Sequence, residues 1–196
     1  MLTFRVRNTR VVLRFGFFAV WAAVLCLENS GELLPVFLAY TLHEAGHITA
    51  AYLCAMPVEC VSFSSLGVRI SGRSEGVSYL RRAAVSLAGP LTNLLFFLLF
   101  LPLSKPYYAV QLVLFLFHIL PAVPLDGGTA LYCALCCVYE ERTAASISLV
   151  LSAVLAFLLG VLGFSMLLRS NGNFTLLFAA GYILVYIAQK QRGDLC

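Results

Sequence analysis

The stretch His43-Glu44-Ala45-Gly46-His47 lies within the apolar segment Leu33–Ala55, which is long enough to cross a bilayer. Two histidines four residues apart share one face of a helix, so their imidazoles can bind a single zinc ion. The glutamate between them can act as general base on a water molecule at that metal. Because ionisable side chains are costly at membrane depth, their presence there indicates a functional site.

The composition is that of a membrane protein. The chain has 196 residues, 61% of them hydrophobic and 11% charged, with a mean hydropathy of +0.94. The net charge of +4 is not arranged as a basic face with interleaved aromatics, so nucleic acid is not an expected partner. Arginines precede the first apolar run but no small-x-small cleavage site follows it, which predicts an uncleaved first span.

The apolar segments predict an all-α membrane protein with about six transmembrane helices, in a single integral-membrane domain covering residues 1–196. The segments are Val11–Leu27, Leu33–Ala55, Arg82–Leu103, Tyr107–Val138, Ala144–Leu168 and Phe174–Ala188. The fourth is too long for one straight span and contains prolines and paired glycines, which predicts two helices joined by irregular backbone.

The segment Val58–Tyr79 is too short and too polar to span a bilayer. Its residues alternate as in strands, and Ser64–Gly67 suits a turn, which predicts a short β-hairpin after the second helix. We expect this hairpin to lie near the cytoplasmic interface and to have an unpaired edge.

The basic residues predict the orientation. With the N-terminus inside and loops assigned alternately, eleven basic residues fall on the cytoplasmic side and only Lys105 and Arg169 on the other. The eleven are Arg5, Arg7, Arg10, Arg14, Arg69, Arg73, Arg81, Arg82, Arg142, Lys190 and Arg192. This bias requires an even number of spans, so both termini are expected in the cytoplasm of a multi-pass plasma-membrane protein.

The ionisable residues inside the predicted spans form a short set. Apart from arginines at span ends, they are His43, Glu44, His47, His118 and Asp126. Desolvated polar groups are stabilised by contact with one another, so His43, His47 and Asp126 are expected to converge on one ion. Two imidazoles and one carboxylate leave a fourth tetrahedral position for water, which favours one catalytic Zn²⁺ per chain.

The same motifs resemble those of the site-2 protease family of intramembrane zinc metalloproteases. That family pairs a HExxH helix with a later Asp-Gly, here His43–His47 and Leu125-Asp126-Gly127-Gly128. The stretch Ala88-Gly89-Pro90-Leu91-Thr92-Asn93, in the span between them, is a third family-like element. The resemblance implies that His43, His47 and Asp126 are metal ligands and Glu44 the base. It further implies hydrolysis of a peptide bond in or near the transmembrane segment of a membrane-associated protein substrate.

One position departs from the family pattern. Family members commonly carry Asn-x-x-Pro where this chain has His118-Ile119-Leu120-Pro121. A neutral histidine offers one donor and one acceptor, so His118 is expected to contact substrate or to support a ligand. Approach to the metal and a satisfied interior histidine are the other interpretations. The remaining residues expected to bind substrate or support the site are Pro121, Pro124, Asn93 and Gly127.

The layout also indicates a branch of the family. It is most similar to the compact sporulation-type branch, which processes a membrane-associated pro-sigma factor on the cytoplasmic side. The chain shows neither a PDZ domain nor a cystathionine-synthase-like regulatory module, so a regulatory membrane partner is expected in its place. The small size favours a bacterial source.

Two other functional classes compete with proteolysis. A metal or proton transporter also carries intramembrane His, Asp and Glu, but it should show a ladder of polar sites or inverted repeats. An inert substrate-binding relative would usually have lost a ligand or the base. This sequence has one polar cluster, no visible repeat, and all four groups.

Overall fold

The computed structural model describes residues 2–6, 9–13, 15, 33–56, 60–64, 67–71, 76–102, 105–169 and 174–191. The described part of the chain forms four strands and six helices. The strands are β1 (Leu2–Val6), β2 (Thr9–Leu13), β3 (Cys60–Ser64) and β4 (Gly67–Ser71). The helices are α1 (Leu33–Leu53), α2 (Tyr79–Phe100), α3 (Lys105–His118), α4 (Asp126–Leu135), α5 (Glu141–Arg169) and α6 (Thr175–Gln191).

The described residues also form a four-stranded sheet, which is more β-structure than the single short hairpin that the sequence predicted. The strands lie in the order β1-β2-β3-β4, with β1–β2 and β3–β4 antiparallel and β2–β3 parallel. The first predicted span was to begin at Val11, yet Val11–Leu13 belong to β2. Valine suits a strand, and hydropathy alone does not distinguish a strand from the start of a helix. Residues 16–27 of that predicted span lie outside the described residues.

The region predicted as a separate hairpin is part of this sheet. It contributes β3 and β4, which pair antiparallel from Cys60 opposite Ser71 to Ser64 opposite Gly67. The sequence predicted a short hairpin alone, whereas in the structure β2 also pairs along the other side of β3 and makes both strands part of a larger sheet. Among the described residues, the unpaired edge on this side of the sheet therefore belongs to β4.

Two of the helices, α2 and α5, are long and apolar enough to cross a membrane, with 22 and 29 residues. Helices α3 and α4, with 14 and 10 residues, are only about 21 and 15 Å long at 1.5 Å per residue. Each is shorter than the roughly 30 Å hydrocarbon core of a bilayer. The structure is mostly helical as predicted, while the six spans and their orientation stay predictions.

The predicted break in the fourth apolar segment is confirmed. Helix α3 ends at His118 and α4 begins at Asp126, and we call residues 119–125 between them the connecting stretch. Ala122 and Leu125 of this stretch are buried in a core with Ala156 of α5 and Ile183 of α6. The last two helices thus support the stretch that leads the chain into Asp126.

Candidate metal centre

Helix α1 brings the two histidines of the HExxH stretch onto one buried face. His43 and His47 lie one turn apart and are 2% and 8% exposed. Their Nε2 atoms are 3.1 Å apart, and the two rings meet edge to face. This i, i+4 spacing is the one that a helix needs to present two imidazole nitrogens to one ion.

The third group arrives from the first residue of α4. Asp126 places Oδ2 3.0 Å from His43 Nε2 and Oδ1 3.5 Å from His47 Nε2. Within the described residues these three side chains form a potential metal-binding group, with all ligand atoms within 4.8 Å of one another. The structure therefore brings together the three residues that the sequence predicts to converge.

The donor atoms fit a zinc ion. Zn–N and Zn–O distances of about 2.0–2.2 Å in a tetrahedron place neighbouring ligand atoms about 3.4 Å apart. The two Nε2 atoms are 3.1 Å apart, and they lie 3.0 and 3.5 Å from the two Asp126 oxygens Oδ2 and Oδ1, all close to that value. Two imidazoles with one carboxylate are also a ligand set that zinc enzymes use for catalysis. His43, His47 and Asp126 are thus the residues that would hold the metal.

A backbone contact fixes the orientation of His47. Its Nδ1 donates to the carbonyl of Val85 on α2 at 2.8 Å, because a carbonyl oxygen can only accept. In a neutral imidazole the lone pair then lies on Nε2, the atom that faces His43 and Asp126. A hydrogen bond on the far ring nitrogen is the usual way in which a protein sets the tautomer of a metal-binding histidine.

Glycines let the helices approach closely enough to assemble the site. A Cβ on Gly89 of α2 would lie 2.3 Å from His47 Nε2, and one on Gly46 of α1 would lie 2.3 Å from Thr92 Oγ1. On α4, a Cβ on Gly127 would lie 2.2 Å from the Ile119 carbonyl oxygen. No side chain fits at these three positions without displacement of the neighbouring atoms.

The main chain at Asp126 is held by Ser86 of α2. The Ser86 hydroxyl donates to the Asp126 carbonyl oxygen at 2.9 Å, and Ser86 is itself buried. This contact ties the start of α4 to the helix that also carries Val85 and Gly89. Neither Ser86 nor Val85 was expected from the sequence, since a serine and a main-chain carbonyl carry no motif signal.

Glu44 lies beside the metal group without belonging to it. It is half-buried on α1 and forms a side-chain hydrogen bond with Tyr40, one turn earlier on the same helix. A carboxylate can only accept, so the Tyr40 hydroxyl is the donor. Tyr40 was not expected from the sequence, although its i, i+4 spacing from Glu44 places the two side chains on one face of the helix.

His118 contacts the metal-binding carboxylate directly. Its Nδ1 lies 2.7 Å from Asp126 Oδ2, and its ring centroid is 4.3 Å from that of His43. This contact also satisfies one ring nitrogen of His118, as expected of a satisfied interior histidine. The contact with Asp126 agrees with the expectation that His118 supports a ligand.

The remaining predicted residues occupy different surroundings. Asn93 is fully buried on α2, and neither amide atom has a hydrogen-bond partner among the described residues. Gly127 is buried against the connecting stretch, while Pro121 and Pro124 are half-buried within it. The structure thus places Gly127 beside Asp126 in the chain, with its main chain against Ile119.

The connecting stretch has no free backbone N–H group with which to bind an added β-strand. Pro121 and Pro124 lack an N–H, and the other amides of residues 121–125 are engaged. They donate from Ala122 to Leu120 O, from Val123 to Ser152 Oγ and from Leu125 to Ala122 O, at 2.8, 3.0 and 2.8 Å. A strand laid against residues 121–125 could therefore only donate to their carbonyls, so this part offers half of a β-ladder.

Comparison with known proteins identifies the fold. A site-2 protease from Methanocaldococcus jannaschii superposes with a TM-score of 0.66 at 18% sequence identity, over 96% of this chain and 94% of that one. The chain has the fold of that site-2 protease. No protein-family model matches the sequence.

A relative is also found by sequence. A protein of Synechocystis sp., whose name assigns it provisionally to the zinc metalloproteases, is 31% identical over 111 residues. The match covers 50% of this chain but only 29% of that protein. The chain thus matches less than a third of its relative's length.

Proposed function

We propose that the protein is an intramembrane zinc metallopeptidase of the site-2 protease type, with His43, His47 and Asp126 as metal ligands and Glu44 as general base. The observation that carries the proposal is the convergence of two imidazole nitrogens from α1 and the Asp126 carboxylate from α4 within 4.8 Å of one another, close enough to bind one zinc ion. The site-2 protease fold and the name of the sequence relative support the same activity.

The chemistry divides between the metal and the side chains. Zinc, when bound, supplies Lewis acidity that polarises a substrate carbonyl and makes water a nucleophile near neutral pH. Glu44 accepts the proton of the attacking water and delivers it to the leaving amine. Tyr40 holds the carboxylate of Glu44 in place by donating its hydroxyl hydrogen bond. Val85 holds His47 in the tautomer that presents Nε2.

The proposed substrate is a membrane-associated protein. A transmembrane helix must unwind locally before cleavage, because its carbonyls are already hydrogen-bonded within the helix. An extended substrate segment could then pair with the free edge of β4 by strand addition. The engaged amides of residues 121–125 make this part of the connecting stretch the poorer partner for such pairing.

The membrane topology, the branch of the family and the class of substrate are proposed from the sequence alone. We propose a single membrane domain with both termini in the cytoplasm of a bacterial cell and a regulatory membrane partner. The layout is most similar to the sporulation-type branch, so the proposed class of substrate is a membrane-associated pro-transcription factor. Asn93, Pro121 and Pro124 remain proposed substrate-binding or supporting residues.

The test combines zinc content with cleavage. Wild type and Glu44→Gln would be co-expressed with a library of tagged single-span proteins, purified in detergent and analysed for zinc. We expect about one zinc per chain in both proteins, with cleavage products in the wild type only. Zinc in both proteins with no cleavage by either would contradict a peptidase, and zinc uptake into proteoliposomes would then identify a transporter.

A further inference from the structure

We propose that His118 is a positioning residue that fixes the carboxylate of Asp126 for metal binding through its Nδ1–H. This inference rests on the proposed role of Asp126 as a zinc ligand. In this role His118 holds the Asp126 carboxylate. It is neither a fourth metal ligand nor a residue that contacts substrate through Nε2.

The geometry favours hydrogen bonding over ligation. The 2.7 Å between His118 Nδ1 and Asp126 Oδ2 is shorter than the 3.0 Å between that oxygen and His43 Nε2. At this distance Nδ1–H donates to the carboxylate, and a neutral imidazole protonated at Nδ1 has its lone pair on Nε2. Two ligand atoms of one tetrahedral zinc ion lie about 3.4 Å apart, so a separation of 2.7 Å suits a hydrogen bond and not a pair of ligands.

The carboxylate needs such a partner because of its position. Asp126 starts α4, and the preceding residue, Leu125, makes no side-chain capping bond. Ser86 fixes the main-chain carbonyl of Asp126 but leaves the side chain free to rotate. His118, at the end of α3, restricts this rotation by its hydrogen bond to the Asp126 carboxylate. Metal-binding carboxylates are commonly held by such outer hydrogen bonds, whose loss costs about 10–100-fold in metal affinity or activity.

Substitution of His118 by asparagine or glutamine distinguishes the role of Nδ1 from that of Nε2. Asparagine carries its amide on Cγ, so its nitrogen can occupy the position of imidazole Nδ1. Glutamine carries the amide one carbon further out, near the position of Nε2. His118→Asn therefore keeps the donor toward Asp126, whereas His118→Gln keeps only a polar group near Nε2. His118→Leu removes both.

The experiment measures the zinc affinity of the purified protein by competition with a chromogenic chelator. We expect His118→Asn to stay within about threefold of wild type, and the Gln and Leu variants to bind about 10–100-fold more weakly. Thermal unfolding of the metal-free variants, compared with the metal-free wild type, controls for misfolding. Only variants that unfold like the wild type enter the comparison, and the Asn and Gln pair suffices if Leu fails.

The opposite ranking would overturn the proposal. If Gln retains affinity while Asn loses it, His118 acts through Nε2. Equal affinities in every variant, or equal losses in every variant, would also contradict a donor at Nδ1. Zinc affinity can be measured without peptide hydrolysis, so the two proposals can fail separately. If the variants show the expected ranking of zinc affinity but the wild type cleaves no substrate, the peptidase function is contradicted and the role of His118 is supported. Wild-type protein without zinc affinity would contradict both.

Discussion

Gly89 packs directly against His47, because a Cβ on Gly89 would lie 2.3 Å from Nε2 of His47. The same Cβ would lie 2.9 Å from Cε1 of His43, so one missing methyl group leaves room for both imidazoles. The helix that carries Gly89 also supplies the Val85 carbonyl and the Ser86 hydroxyl. Helix α2 therefore holds the ligands from α1 and α4 in one arrangement while providing no ligand itself.

The substitution Gly89→Ala should displace both histidines and abolish tight zinc binding. The added methyl group overlaps the metal-binding nitrogen of His47, and we expect zinc affinity to fall by about 100-fold or more, as for a lost ligand contact. Zinc content after dialysis against a weak chelator would measure this loss.

The control for Gly89→Ala is Gly181→Ala in α6, where a new Cβ meets nothing within 4 Å. It should keep full zinc content and stabilise the helix by about 0.5–1 kcal/mol. Full zinc content in Gly89→Ala would contradict the packing of α2 against the two imidazoles.

The substitution Tyr40→Phe should slow turnover while leaving zinc in place. It removes the hydroxyl that donates to Glu44 and keeps the aromatic ring. Hydrogen bonds to charged groups contribute about 1.5–3 kcal/mol, so a loss of about tenfold or more in kcat is expected. Steady-state cleavage of a substrate from the library screen, with zinc content measured on the same sample, would check this.

Tyr52→Phe is the control for Tyr40→Phe, since the Tyr52 side chain lies further along α1 and is 84% exposed. Tyr52→Phe should behave as wild type. A Tyr40→Phe protein with unchanged kcat would show that the Glu44 carboxylate needs no support from this hydroxyl.

The substitution Ser152→Ala should destabilise the connecting stretch. The Ser152 hydroxyl accepts the Val123 N–H at 3.0 Å and donates to the Ser148 carbonyl at 2.6 Å, all within the protein interior. Leaving that N–H buried without a partner costs about 1–3 kcal/mol of unfolding free energy. Denaturant unfolding in detergent would measure the change.

Ser146→Ala on the same helix is the matched variant, because its exposed hydroxyl bonds only the Arg142 carbonyl one turn earlier. Its unfolding free energy should stay within about 0.5 kcal/mol of wild type. Equal stability of the Ser146 and Ser152 variants would argue against the anchoring of Val123 to α5.

The sequence predicted the parts of this protein that depend on residue chemistry. Polar groups inside apolar segments have few partners, so the convergence of His43, His47 and Asp126 could be inferred before any geometry was known. The break between α3 and α4 was predictable because proline cannot continue a helical hydrogen-bond pattern. These inferences need only local pattern and the cost of burying polar groups.

The parts that sequence reasoning missed depend on contacts between distant segments. The sheet joins β2 to β3 across the whole of α1, and no local pattern reveals that parallel pairing. The support from Ser86 and Val85 likewise requires knowing how α2 lies against α1 and α4. Hydropathy also mistook Val11–Leu13 for the start of a helix, because apolar strands and apolar helices have similar averages.

The most direct test of the peptidase assignment is the dependence of cleavage on zinc occupancy. Wild-type protein would be stripped with chelator and reloaded in steps, with zinc per chain and cleavage rate measured at each step. We expect the cleavage rate to rise linearly with zinc content and to reach its maximum at one zinc per chain. Glu44→Gln should bind the same amount of zinc and show no cleavage. Cleavage that persists in the zinc-free protein, or that survives Glu44→Gln at full occupancy, would contradict it.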